Sequence, residues 1–214
     1  MRRDRSIDPA WFEVLYREQG DPWDFETSAY ERAKYDHTLS SLPAGRFASA
    51  LEVGCANGVL TQRLAPRCDR LLAIDVSDTA LEAARTRCAG QPQVSFERRR
   101  VPQEAPEGRF DLILLSEVIY YLDVGDLARL ADWLRGSVAS GGHLLLVHWT
   151  GDTDYPLAGD EAVDRLLALL GGDVAVVTGE RREHYRLDLW RREGPPRPDH
   201  RAGRRDGDRQ GAEA

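Results

Sequence analysis

The sequence predicts an α/β fold: a doubly wound, mostly parallel seven-stranded sheet with a C-terminal antiparallel hairpin and an N-terminal helical lid. Three observations predict it. From Ala50 onward, strand-like and helix-like runs alternate, the pattern that builds a parallel sheet with helices on both faces. The uninterrupted apolar runs "LILL" and "LLLV" suit central strands covered on both sides. The two closing runs, "DVAVVTGER" and "HYRLDLW", are joined by too few residues for a crossover and therefore pair antiparallel.

Each element has its own signal. Pro9–Gln19 reads as a helix capped by Asp8, and a second helix follows Ser28, which forms a capping box with Glu31. Between them, "GDPWDF" is a Pro-containing loop that carries a large aromatic. "SALEVG" is a strand, residues 54–58 a tight turn, and "GVLTQRLAP" a helix beginning near Val59. "RLLAIDV" is the next strand, followed by the helix "DTALEAARTRCA", with Thr79 and Glu82 as its capping box. "QVSFERRR" and "FDLILLSEV" are strands, "GDLARLADWLRGSV" a helix, "GHLLLVHW" a strand and "DEAVDRLLALLG" a helix ahead of the hairpin. From about Gly194 the chain lacks hydrophobic residues and is rich in Gly, Pro and Arg, which reads as a disordered tail. The expected organisation is a lid over 1–45, a ligand-binding domain over 46–193 and a tail over 194–214.

Composition narrows the class. A chain of 214 residues with 42% hydrophobic and 30% charged residues is an ordinary globular protein with one substantial core. No run of about 18 apolar residues is available to span a membrane, and no apolar stretch follows the charged start "MRRDRSIDPAWF" to make a secretory signal. Cys55, Cys68 and Cys88 are odd in number and lack metal-type spacing, so they read as reduced thiols of a cytoplasmic protein with no metal site. A net charge of −7 argues against nucleic acid as the partner. Lys34 is the single lysine beside many arginines, a bias of coding, and Asn57 is the single asparagine.

The loop "GCANG" carries the chemistry. In an open α/β sheet, ligands bind beyond the carboxyl ends of the strands, and this loop ends the first core strand. Glycine lets backbone approach a ligand, and the helix amides behind it favour a negative group. Downstream, "LLAIDV" ends in Asp75, a carboxylate suited to both hydroxyls of a ribose. A dinucleotide site wants G-x-G-x-x-G facing a pyrophosphate; here the loop is G-x-x-x-G, preceded by Glu52. S-adenosylmethionine carries a ribose and an amino-acid tail but no phosphate, so a neighbouring acid does not repel it. The loop therefore favours S-adenosylmethionine over a nicotinamide cofactor.

The residues "DPWDFETSAYERAKY", "LEVGCANG", "AIDVS", "FDLILLSEVIYYL" and "LLLVHWTGDTDYPLAGDE" together resemble a class I S-adenosylmethionine-dependent methyltransferase. More narrowly, the chain from Trp11 to Arg192 resembles the nodulation protein S family of N-methyltransferases. That resemblance implies methylation of an amine on a de-N-acetylated sugar or oligosaccharide. It also implies that the N-terminal segment lies over the cofactor. The cofactor set then comprises Trp23, Tyr30 and Lys34 of the lid; Glu52, Gly54, Cys55, Ala56 and Gly58 of the loop; Asp75 and Val76; and Arg100, Val101 and Ser116. Tyr30 and Lys34 share one helix face at i, i+4, with Lys34 aimed at the methionine carboxylate.

For the acceptor, Tyr120, Tyr121, Trp149 and Tyr155 are expected to stack on or bond a sugar ring. An amine must be neutral to attack, so His148, at the ligand end of its strand, is the expected base, while Glu117 binds the amine or takes its proton. Methyl transfer otherwise draws its acceleration from positioning. The protein is expected to work as a monomer or homodimer on a small-molecule or oligosaccharide acceptor. Three other readings remain. An O-methyltransferase would need a stronger base, a nicotinamide oxidoreductase a different glycine spacing, and a non-catalytic module would be expected to lack the aromatic and histidine groups on the acceptor side.

Overall fold

The computed structural model describes residues 2–194; most of the expected tail lies outside them. Two helices, α1 (Pro9–Gln19) and α2 (Ala29–Ser40), precede an alternating series. It runs β1 (Ala50–Val53), α3 (Val59–Leu64), β2 (Leu71–Asp75), α4 (Asp78–Arg87), β3 (Val94–Arg98) and β4 (Phe110–Ser116). Then follow α5 (Val124–Ser137), β5 (Val138–Trp149), α6 (Gly159–Leu170), β6 (Val174–Arg181) and β7 (Tyr185–Arg192). The seven strands lie in the order β3-β2-β1-β4-β5-β7-β6. The first five are parallel, and β7 is antiparallel to both β5 and β6. Strand order reverses between β1 and β4, which opens a crevice beyond their carboxyl ends.

The apolar runs are legible in the packing. In β4, Ile113 and Leu115 join the cluster that takes in Leu127, Leu130 and Leu134 of α5 and Leu166 of α6. Leu112 and Leu114 face the opposite cluster, with Leu60 and Leu64 of α3 and Tyr35 of α2. Successive strand residues point to opposite faces, so a strand buried on both sides must be apolar throughout. Tyr35 and Leu42 belong to the same cluster as the central strands, so the N-terminal helices and the sheet share one core. No helix among the described residues is long and apolar enough to cross a membrane.

Caps follow the sequence with one change. Asp8 accepts the Ala10 N–H, and Ser28 Oγ accepts the Glu31 N–H. Helix α4, however, is capped by Ser77, which accepts the Ala80 N–H, rather than by Thr79. The Thr79 hydroxyl is taken by Glu13 of α1, whose carboxylate also accepts the Ser77 hydroxyl, both at 2.7 Å. A residue distant in sequence thus ties α1 to the start of α4. Strand β5 also starts earlier than expected, at Val138, with a register shift opposite Phe110 and Leu112.

Candidate functional site

A cavity of about 420 Å³ lies at the carboxyl ends of the central strands, beneath α1 and α2. Its first end is built from backbone. The Gly54 and Cys55 amides donate to the Ile74 carbonyl, tying the loop to β2. Ala56, in the left-handed region at φ 49°, donates its N–H to Asp75 Oδ2 at 2.9 Å, and Ser77 N–H donates to Asp75 Oδ1 at 2.9 Å. Burial raises the Asp75 pKa, and these amides oppose the rise. Each carboxylate oxygen still has a lone pair for a hydroxyl. Burial pushes Glu52 up to about 8, so its carboxyl is largely protonated at neutral pH.

The glycines serve packing as much as ligand approach. At Gly54 (φ +78°) a Cβ would lie 2.4 Å from Val118 Cγ2, and at Gly58 (φ +80°) one would lie 2.9 Å from Ala84 Cα. Gly54 lines the cavity, but Gly58 does not. Gly58, expected among the cofactor residues, packs on Ala84 and so lets α4 approach the loop.

Four buried side-chain oxygens of cavity-lining residues have no partner: Tyr30 OH, Glu31 Oε2, Glu52 Oε2 and Asn57 Oδ1. Asn57 Oδ1 only accepts, and Glu31 Oε2 accepts when ionised. Tyr30 OH and the protonated Glu52 carboxyl both donate and accept, and the set suits a ligand bearing hydroxyls and an ammonium. A pyrophosphate, whose oxygens only accept, would face the acceptor oxygens of Glu31, Asn57 and Asp75 on this wall. S-adenosylmethionine fits this wall, and a dinucleotide does not.

The second end is built from side chains. Glu117, which follows β4, adopts φ 56° and points its carboxylate into a network. Lys34 Nζ donates to Glu117 Oε1 at 2.8 Å and to Glu31 Oε1 at 2.9 Å. Tyr120 OH (2.6 Å) and the Trp149 N–H (2.8 Å) both donate to Glu117 Oε2. Burial would raise the Glu117 pKa, but Lys34, His148 and the hydroxyl of Tyr120 win and hold it below the ordinary carboxylate range. Burial would likewise lower Lys34, and its two carboxylates more than offset that. Glu31 is raised by burial against the pull of Lys34. Around this group Tyr120 stacks on Tyr155 with centroids 5.4 Å apart, and Tyr121 meets Tyr155 edge-on at 4.6 Å. Trp149 stacks on His184 at 5.3 Å.

Of the expected cofactor residues, Trp23, Tyr30 and Lys34 line the cavity, as do Glu52, Gly54, Cys55 and Ala56. So do Asp75, Val76, Arg100, Val101 and Ser116. Lys34 is only 3% exposed and already holds two carboxylates, so its charge is spent on the protein rather than directed at a ligand carboxylate. Glu117, Tyr120, Tyr121, Trp149 and Tyr155 line the other end.

His148, the expected base, does not line the cavity. It is fully buried behind Tyr120, its Nε2 accepts the Ile119 N–H at 3.3 Å, and its Nδ1 has no partner. Burial lowers its pKa to about 4, so it is neutral at pH 7 and a poor proton acceptor. Sequence reasoning missed Phe12, Tyr16 and Tyr35, which complete the wall. The i, i+4 spacing of Phe12 and Tyr16 on an amphipathic helix was the available signal.

The fold and wall have counterparts. A family model described as nodulation protein S (NodS) matches residues 13–140. Nodulation protein S of Rhizobium tropici is 39% identical over 138 residues, 63% of this chain and 58% of that protein. The Sinorhizobium fredii protein is 36% identical over 138 residues, covering 63% and 64%. The chain thus spans about half to two thirds of the length of the curated relatives it matches, 58%, 64% and 49% for three of them. Among solved structures, the N-methyltransferase NodS from Bradyrhizobium japonicum WM9 in complex with S-adenosyl-L-homocysteine superposes with a TM-score of 0.73. It is 25% identical, and the match covers 87% of this chain and 99% of that one.

Proposed function

The chain belongs to the nodulation protein S family, and from that premise we propose that it methylates the free amine of a de-N-acetylated sugar, with S-adenosylmethionine as methyl donor. When bound, that cofactor supplies an electrophilic methyl group on a sulfonium. Asp75 would accept the ribose hydroxyls, and the unpaired oxygens of Glu31, Glu52 and Asn57 would meet donors on the same ligand.

The observation that carries the amine reading is the ionisation pattern of the acceptor end. Glu117 is held below its ordinary range by Lys34, and His148 lies near 4, so neither takes a proton readily at pH 7. Burial also raises Tyr120 and Tyr121, which therefore stay protonated. A hydroxyl acceptor needs a base at the site, whereas an amine can lose its proton to water and arrive with a lone pair. Three of the four lone-pair directions of Glu117 are occupied, and the fourth can receive an amine N–H and aim the nitrogen. Tyr120, Tyr121, Tyr155 and Trp149 provide flat apolar walls for a sugar ring.

A screen with radiolabelled S-adenosylmethionine tests this. Label is expected in glucosamine and its deacetylated oligomers and absent from the N-acetylated forms. Turnover is expected to rise with pH along the acceptor's own amine ionisation. Label in acetylated sugars or phenols alone would overturn the amine reading in favour of O-methylation.

A further inference from the structure

Residues 2–7 form an irregular strap across the acceptor end, ahead of α1. Its outer half is held by exposed contacts: Arg3 Nε pairs with Asp154 Oδ2 at 3.1 Å, and the Arg3 N–H donates to the Asp154 carbonyl at 3.0 Å. The Arg2 guanidinium reaches Thr153 Oγ1 and the Tyr155 carbonyl at 3.4 and 3.3 Å. Exposed ion pairs of this kind hold weakly. The inner half is pinned more firmly. Ser6 N–H donates to Asp123 Oδ2 at 3.2 Å, Ser6 Oγ accepts the Asp123 N–H at 2.9 Å and donates to Asp126, and Ile7 N–H donates to the Tyr121 carbonyl at 2.9 Å.

Ser6 and Ile7 are themselves cavity wall, as are Thr153 and Tyr155, and Ile7 is only 7% exposed. One cavity of about 420 Å³ must hold both cofactor and acceptor. Sites for a single drug-sized ligand already occupy ~300–1,000 Å³. A volume of about 420 Å³ lies near the low end of that range, so with the strap in place the cavity leaves little room for an extended acceptor beside the cofactor.

We propose that residues 2–7 set acceptor length: the strap closes over a single amine-bearing ring, and an oligomer binds only by displacing it. This rests on the amine reading above. The graded grip suits the task, because the weak outer contacts let the strap peel from Arg2 toward Ile7 while α1 stays docked through Glu13.

Amide hydrogen exchange on the full chain tests it without turnover. Ile7 N–H is expected to exchange by local opening, about 10²-fold or more faster than Leu114 N–H in the central strand. Equal rates would mean that the strap opens only with global unfolding and would overturn the proposal. With S-adenosylhomocysteine bound, glucosamine is expected to slow Ile7 exchange and the deacetylated glucosamine tetramer to speed it. A tetramer that is methylated while Ile7 stays as protected as with the monomer also overturns it. The double variant R3A/S6A is expected to raise the tetramer-to-monomer ratio of kcat/KM by about tenfold, which corresponds to one decade of transition-state preference; an unchanged ratio refutes the strap's role. If no amine accepts label, the amine reading fails, and the exchange comparison of Ile7 with Leu114 alone decides the strap.

Discussion

At the β1–β2 end, the cavity wall is set by main chain: two amides on the Ile74 carbonyl, two more on Asp75, and Gly54 against Val118, with Gly58 packed behind it on Ala84. At the β4–β5 end it is side chains: Lys34, Glu31, Glu117 and Tyr120 bonded to one another, with His148 behind them. The first is set by dihedral angles and close packing, so it tolerates neither added volume nor a changed backbone. The second is set by a balance of buried charges, so its geometry survives only while the charges match. The two ends of the cavity are thus held by steric rigidity on one side and by electrostatics on the other.

The largest expected effect falls on the charged end. Lys34→Ala leaves Glu31 and Glu117 facing each other in a buried site, and breaking such a pair costs about 3–5 kcal/mol. Urea denaturation measures it. Adding Glu31→Gln and Glu117→Gln to Lys34→Met is expected to recover most of the stability and none of the turnover. A triple variant as unstable as Lys34→Ala would show that packing, not charge, holds this end.

At the backbone end, Gly54→Val forces a left-handed φ on a branched residue and drives its Cβ into Val118. We expect a loss of about 2–4 kcal/mol from strain plus overpacking. Circular dichroism with thermal melting checks it. A full-stability variant that merely failed to bind S-adenosylhomocysteine would mean that the glycine serves the ligand alone.

His148 supplies a pH test. Its folded pKa of about 4 lies below the unfolded value near 6.5. Between those values the unfolded chain binds the extra proton, so this contribution to stability is complete above pH 6.5 and is lost as pH falls toward 4. The expected loss is about 3 kcal/mol in the wild type and absent from His148→Gln. The pH profile of turnover between 6 and 9 is expected to keep its shape in that variant. A shifted midpoint would restore His148 as the base.

The smallest effect is at the docking of α1. Glu13 accepts from Ser77 and Thr79, which lower its pKa from 4.5 to about 2. The unfolded carboxylate protonates first on acidification, so this stability is complete above pH 4.5 and is lost as pH falls to 2. Glu13→Gln is expected to cost about 1 kcal/mol at neutral pH and to remove that acid dependence, as measured by urea midpoints at pH 7 and 3. If the lid instead came away, trypsin would cleave the variant rapidly within α1.

What the sequence determined by itself was whatever contiguous residues decide. Strand and helix alternation, the hairpin, the loop from Gly54 to Gly58 and the acid at the end of "LLAID" each depend on neighbours within a few positions, because period, capping and turn geometry are local. Those runs made the fold and the loop-and-Asp75 end legible, and the family motifs lie in the same runs. The tertiary structure decided what depends on distant neighbours. Thr79 lies inside α4, which Ser77 caps, and its hydroxyl instead meets Glu13 from a helix more than sixty residues upstream. Gly58 faces α4 because of where Ala84 sits. His148 stands at the strand end its sequence promised, yet burial behind Tyr120 strips it of the proton affinity a base requires. Lys34 meets Glu117 across 83 residues, and that meeting favours the charged form of both against the cost of burial. Ionisation depends on burial and on facing charges, and neither quantity exists until the chain has packed.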